Sequence, residues 1–409
     1  MTGQPQAAVP ASLGLSEPAQ TSVVVALLPL KAAVLVAFLV IGLAFPVVPL
    51  HVRDGLGFGP VVVGVVAGCQ FAASLIARIW SGHAADARGA KWAVVAGLIR
   101  ATVLGLLYLS LLAFVGRPEV SVAVLLAGRA LLGAAESFVI TGATAWGLTR
   151  VGAANAGKVI AWMGTAMFAG FAAGAPLGSL LYAGGGFASV AAVTSVARLL
   201  TLALLWPLRG SVAAAVARPR IASVIGRIWL PGLGAALSSV GFGAILAFGS
   251  LLFVEHGWTP VWLAFSTYAI ALMVARLLFG HLPDRLGGAK VAVGFVVVEA
   301  AGLATMWLAA SGGLAAFGAA LTGFGYSLVF PGLGLEAVRL APPESRGVAM
   351  GAYTACLDLA LGIAGPALGL VASGAGYSAV FEVSAIVVLC AALVSIPLLT
   401  KRAPRAQAT

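Results

Sequence analysis

Apolar runs bounded by charge or by glycine and proline fall near residues 30–50, 59–80, 92–114, 121–146, 157–181 and 188–207. Six more fall near 228–253, 260–280, 291–310, 314–338, 347–371 and 378–399. Each is close to the roughly 20 apolar residues that carry a helix across a hydrocarbon core of about 30 Å. The pattern predicts an all-α membrane protein with twelve transmembrane helices in two six-helix bundles. The longest polar connection, Arg209 to Arg227, also bears Arg218 and Arg220 and is the natural boundary between the halves. The predicted organisation is a disordered cytoplasmic tail over 1–22, an N-terminal bundle over 23–208, a linker over 209–227, a C-terminal bundle over 228–400 and a tail over 401–409.

Composition removes the soluble alternatives. The 409 residues are 61% apolar and only 9% charged, against about 25% charged in a soluble domain. The 53 glycines suit close approach between membrane helices. Cys69, Cys356 and Cys390 lie in apolar stretches without C-x-x-C spacing, so no disulfide framework and no metal site is expected. The net charge of +11 would suggest nucleic acid only if basic residues gathered on a soluble surface; here they lie between or within apolar runs. The stretch up to Thr21 has no Lys or Arg and no cleavage-like pattern, so it reads as a tail rather than a removed signal peptide.

The loop charges predict an orientation, because basic loops stay cytoplasmic. With the N-terminus inside, sixteen of the 23 basic residues lie in or beside cytoplasmic segments, including Lys31, Arg88, Lys91, Arg150, Arg285 and Arg346. Only Arg53 and Arg117 lie on the other side, and five are inside apolar runs. Both termini are therefore expected in the cytoplasm.

A repeat links the two groups of spans. Arg78-Ile-Trp-Ser-Gly82-His83-Ala-Ala-Asp86 recurs as Arg276-Leu-Leu-Phe-Gly280-His281-Leu-Pro-Asp284, displaced by 198 residues. Gly89 and Gly287 keep that offset, while Lys91 and Lys290 need one residue more. Parallel repeats of this kind build the major facilitator fold, with substrate sites between the halves. The loop Gly82 to Lys91 resembles the G-x-L-x-D-R-x-G-R-K motif of major facilitator superfamily transporters, with Ala87 and Ala90 where the family has basic residues. Longer stretches around Phe45-Pro46, Glu136-Ser137-Phe138, Arg227-Ile228-Trp229 and Tyr326-Ser327-Leu328 look like the YhhS and YfcJ group of bacterial facilitators, commonly labelled arabinose-efflux-like. The resemblance covers nearly all of residues 30–400 and implies a secondary transporter, with export as the leading expectation.

The resemblance implies a gate in the repeated loop: Gly82, Asp86, Arg88, Gly89 and Lys91, with Gly280, Asp284 and Arg285 in the second copy. Glycine permits a tight turn and Asp can accept from a helix end or pair with Arg; a purely topogenic basic loop is the alternative. Gly174, Pro176 and Gly178 in the fifth span, and Gly365, Pro366 and Gly369 in the eleventh, resemble the glycine and proline motif of antiporters. Proline kinks a helix and small residues pack closely, so these positions serve either as a pivot or as simple packing.

Ionisable groups within spans are costly and normally face a partner or a watery cavity. Glu136, seven residues after Arg129 and on almost the same helical face, and Asp358 near the middle of the eleventh span are the proton-site candidates. Burial disfavours a carboxylate and a nearby guanidinium favours it, so a carboxyl moving between such environments can bind and release a proton; a permanent structural pair is the alternative for each. Arg129-Ala-Leu-Leu-Gly133 resembles the family's R-x-x-x-G motif, which implies a part in proton coupling for Arg129. Gln70, Trp162, Tyr326 and Tyr353 are candidates for lining the central cavity, although aromatic residues at depth more often simply pack. Arg100, Glu299 and Glu382 read as snorkelling or structural, and Arg198 has no evident partner.

These features predict a proton-coupled exporter of a small sugar-like or drug-like solute, or, with the same chemistry, an importer. Small-molecule substrate, protons and the bilayer are the expected partners of a monomer. No cofactor is expected, the proton gradient being the energy source, and no nucleic acid. A membrane-embedded enzyme would need clustered Asp, paired aspartates or a His and Ser arrangement; a channel would need charge rings or filter loops. None of these patterns is present, and a sensor built on a transporter fold would carry an added soluble domain, for which the central connection is too short.

Overall fold

The computed structural model describes residues 20–114, 116–152, 155–208, 210, 222–342 and 345–399. Residues 1–19 of the tail expected over 1–22, the tail expected over 401–409 and most of the linker, with Arg209, Arg218 and Arg220, lie outside them, while residues 20–22 begin the first helix. Among the described residues all regular secondary structure is helical. The first half contains α1 (Gln20–Leu50), α2 (Pro60–Arg88), α3 (Ala90–Ser110), α4 (Pro118–Val151) and α5 (Ala156–Leu205). The second contains α6 (Ala222–Glu255), α7 (Leu263–Phe279), the short α8 (Leu282–Leu286), α9 (Gly288–Trp307), α10 (Gly312–Leu340) and α11 (Arg346–Ser395).

Among the described residues nine helices are long and apolar enough to cross a membrane, and α7 is a shorter apolar helix. Both α5 and α11 are 50 residues long, which would reach about 75 Å if straight. They do not run straight. Gly185 and Gly186 interrupt α5, and Gly376 interrupts α11. Gly186 has φ +61° and Gly376 has φ +85°, a region open to glycine and strained for other residues. Each long helix is thus broken into two segments, at the junctions the hydropathy pattern places between the fifth and sixth and the eleventh and twelfth runs.

The 198-residue repeat has a structural counterpart and one local difference. Gly89, between α2 and α3, has φ +92°, and Gly287, between α8 and α9, has φ +96°. Both copies need glycine for the same turn. Helix α2 runs unbroken to Arg88, whereas its counterpart stops at Phe279 and resumes as α8. Pro283 stands where the first copy has Ala85; proline lacks the N–H and crowds the preceding turn, disfavouring continuation.

Close packing within the first half follows small residues. A Cβ on Gly170, Gly174 or Gly178 of α5 would press on the α1 backbone at Leu35, Leu39 and Leu43 respectively. Phe38 and Phe45 of α1 meet Phe171 of α5 with ring centroids 5.2 and 5.1 Å apart. In the second half, Gly325 of α10 packs on the Glu299 backbone of α9, and Gly323 on Tyr268 of α7.

Candidate functional site

The halves meet along α2 and α11. A Cβ on Gly64 would run into the Gly365 carbonyl, one on Gly68 into the Gly362 carbonyl, and one on Gly369 into that of Pro60. Pro366 packs on Gly68. This glycine seam lies toward the Gly57 and Gly376 end of the bundle. The two glycine and proline motifs of the sequence are therefore used differently: Gly174 and Gly178 fasten α5 to α1 within one half, whereas Gly365 and Gly369 join opposite halves.

Deeper along the same two helices, Arg78 meets Asp358. Arg78 Nη2 lies 2.6 Å from Asp358 Oδ2 and Nε donates to the same oxygen at 2.7 Å. The Asp358 side chain is 3% exposed and that of Arg78 24%. Arg78 stands ten residues before the end of α2 and Asp358 twelve after the start of α11, so both lie about 15–18 Å from those helix ends. An ion pair thus bridges the two halves near mid-depth.

Glu136 stands on α4, packed closely against α2 because Gly133 allows contact with the Gln70 backbone. Gln70 Nε2 donates to Glu136 Oε2 at 2.8 Å, and Gln70 is 1% exposed. An amide can also accept from the protonated acid through its oxygen, and Gln70 Oε1 has no other partner. One turn along, Ser74 and Ser137 share a 2.8 Å hydroxyl contact, and Ser137 Oγ donates to the Ser74 carbonyl at 3.0 Å. The α2–α4 contact therefore carries Glu136, while the α2–α11 contact carries Asp358, at positions about two turns apart along α2.

Arg129, two turns from Glu136 on α4, is 2% exposed, and its Nε and Nη1 have no hydrogen-bond partner. Arg198, 1% exposed, gives Nη2 to the Ala37 carbonyl of α1 at 3.3 Å. Arg276, the repeat equivalent of Arg78, donates to the Ser327 carbonyl at 3.1 Å and lies over Phe168 of α5. The repeat thus preserves the arginine but not its partner.

The four cavity candidates occupy different surroundings. Tyr326 stacks on Phe242 at 5.9 Å and shares a 3.2 Å hydroxyl contact with Ser239. Tyr268, at the repeat position of Gln70, joins the same cluster, 5.6 Å from Phe242 and 6.5 Å from Tyr326. Tyr353 is fully buried and donates to the Phe330 carbonyl at 2.7 Å within the second half. Trp162 is 37% exposed with the Lys31 ammonium 3.4 Å above its ring. Gln70 and Tyr326 thus lie in the inner layer, Tyr353 is tied to α10, and Trp162 stands near the Lys31 end of α1.

In the first copy of the repeated loop, Lys91 Nζ donates to the carbonyls of Trp206 and Leu208 at 2.7 and 2.6 Å. Cationic groups stabilise such exposed helix C-termini. Arg88 lies over Trp92, Gly82 is buried and Asp86 half-buried. In the second copy Gly280, Asp284 and Arg285 are exposed, and Glu336 Oε1 accepts from the backbone N–H of Ala289 at the start of α9. Elsewhere, Arg100 donates to the Ala96 carbonyl and lies over Phe138. Glu299 is fully buried and accepts from Ser238 Oγ at 2.5 Å.

Arg78 is the residue that sequence reasoning used only to define the repeat. The signal was available, since an arginine inside an apolar run needs a partner. Its partner lies 280 positions away, and no spacing rule reaches that far.

The Major Facilitator Superfamily profile matches residues 32–287 and 232–409. The chain belongs to this superfamily. An MFS-type transporter of Salmonella typhimurium is 39% identical over 375 residues, covering 92% of this chain and 97% of the relative. The fold resembles that of the nucleoside transporter NupG, with a TM-score of 0.73 at 15% identity over 92% of this chain and all of the other. A bacterial homologue of the human lysosomal transporter Spinster, in an inward-facing and unoccupied conformation, also has a TM-score of 0.73, at 13% identity over 95% of this chain and all of the other. This superfamily member is a multi-pass membrane transporter rather than an enzyme.

Proposed function

We propose that this transporter is a proton-coupled exporter of a small organic solute, working by alternating access between two six-helix halves with twelve crossings. The observation that carries the reading is the Arg78–Asp358 pair, which joins the halves by a contact that protonation can break. A proton on Asp358 removes its charge, frees the guanidinium and weakens one tie across α2 and α11. Glu136, held by an amide that suits both protonation states, is the second proton site. The repeated loop, from Gly82 to Lys91 and from Gly280 to Arg285, acts at the gate, and a monomer suffices because the pathway lies between halves of one chain.

The distribution of basic residues puts both termini and the Arg88 and Arg346 ends on the cytoplasmic side of a bacterial inner membrane. The glycine seam then closes the outer side, so this conformation is closed outward, in keeping with the inward-facing Spinster homologue of similar fold.

Everted vesicles containing the protein, offered labelled sugars and drugs with an acidic lumen, test the direction. Accumulation of solute as protons leave supports export by antiport, and accumulation with protons entering under the opposite gradient supports import. Coupling that persists in both Glu136→Gln and Asp358→Asn overturns the proton-site assignment.

A further inference from the structure

Arg129 stands apart from the other charged groups inside the molecule. A guanidinium remains charged under all ordinary conditions, and an unpaired buried charge costs several kcal/mol. Arg129 is 2% exposed, yet Nε and Nη1 lack hydrogen-bond partners. Glu136, two turns along α4, makes its hydrogen bond to Gln70 rather than to Arg129, and Asp358 is paired with Arg78. Among the described residues no salt bridge to Arg129 is formed.

The side chain borders a small cavity of about 10 Å³, room for roughly one water. Its wall includes Phe45 and Val48 of α1, Val63 and Ala67 of α2, and Leu246 of α6. Leu246 belongs to the second half, so the cavity lies across the line along which the halves separate. Val63 and Ala67 flank Gly64 on α2, so parting the glycine seam would widen this space. The neighbouring interior is also positive: Arg198 is buried with Nε unpaired, and the group set against Arg129 is the uncharged Tyr108 hydroxyl.

We infer that Arg129 is the anchor for a carboxylate on the transported solute, whose apolar body lies against Phe45, Val63 and Leu246. The inference rests on the reading of the chain as a carrier of a small organic solute and narrows that class to organic acids. A carboxylate matches the guanidinium fork in two parallel hydrogen bonds, and in a site walled by apolar groups the pairing is little screened. An amide of the same shape lacks the charge, and a site with an unanswered charge discriminates strongly against it.

The test compares benzoate and hexanoate with benzamide and hexanamide as stabilisers of the purified full chain in detergent, read as melting-temperature shifts with concentration. At least one carboxylate should raise the melting temperature, its amide should not, and Arg129→Gln should weaken carboxylate binding tenfold or more. Arg129→Lys keeps the charge without the fork and should retain part of it. Unliganded Arg129→Gln should melt no lower than the parent, because it loses an unanswered charge rather than a structural pair. The inference is overturned if the amides stabilise equally, if Arg129→Gln binds the carboxylate undiminished, or if neither acid stabilises the parent. Proton coupling is read separately from solute-driven pH changes in Glu136→Gln and Asp358→Asn, so either idea can fail alone.

Discussion

At the residue scale, the behaviour of this transporter turns on a few charges whose burial forces them to find partners. Asp358 is the clearest, with two contacts from one guanidinium. Removing Arg78 leaves a buried carboxyl without its cation, and the loss of such a partner costs up to about 3 kcal/mol here, less than for a fully dry pair because Arg78 is 24% exposed. Arg78→Gln should therefore lower the melting temperature in detergent, and adding Asp358→Asn should restore most of it while abolishing solute-driven proton movement. Proteoliposomes loaded with a pH-sensitive dye report the second effect. Full coupling in the double variant would remove the pair from the mechanism. For Glu136, Gln70→Leu takes away the amide partner without changing charge; proton coupling should shift in pH dependence and stability should fall by about 1–3 kcal/mol. An unchanged pH profile would leave Gln70 a packing residue.

At the scale of elements, glycines decide where helices turn and how closely they approach, and they are not equivalent. Gly89 and Gly287 sit at φ +92° and +96°, so alanine at either should cost about 1 kcal/mol or more through backbone strain. Gly294 is exposed in the middle of α9, with open space for 4 Å around the position a Cβ would take. It should accept alanine with no loss and gain up to about 1 kcal/mol. Thermal melting of the three alanine variants checks the contrast, and equal effects would dismiss the backbone argument. The same reasoning explains why Gly186 and Gly376 are where the two 50-residue helices break.

At the scale of the whole molecule, the contact between halves is uneven: small-residue packing at one end of α2 and α11, and an ion pair deeper in. Tight packing there means that Gly64→Ala must push α2 away from the Gly365 carbonyl. The population should shift toward the outward-open arrangement. In a background without native cysteines, Ala67→Cys should react with an impermeant maleimide added outside cells several times faster when Gly64→Ala is present. No change in rate would mean that the seam does not control outer access.

Much of this was legible along the chain. Helical class, apolar runs, the glycine breaks and the repeat with its paired turns depend on local sequence, because bilayer thickness and backbone conformation act on consecutive residues. The placement of Glu136 and Asp358 at depth was legible for the same reason. The sequence by itself also marked Arg129 as a charge inside a span. Partners were decided only by the tertiary structure: Asp358 takes Arg78, Glu136 takes Gln70, Lys91 caps the end of the sixth segment, and one glycine motif packs within a half while the other joins the halves. Such pairings arise where helices far apart in sequence cross. Their energies depend on distance and exclusion of water, which no spacing along the chain encodes.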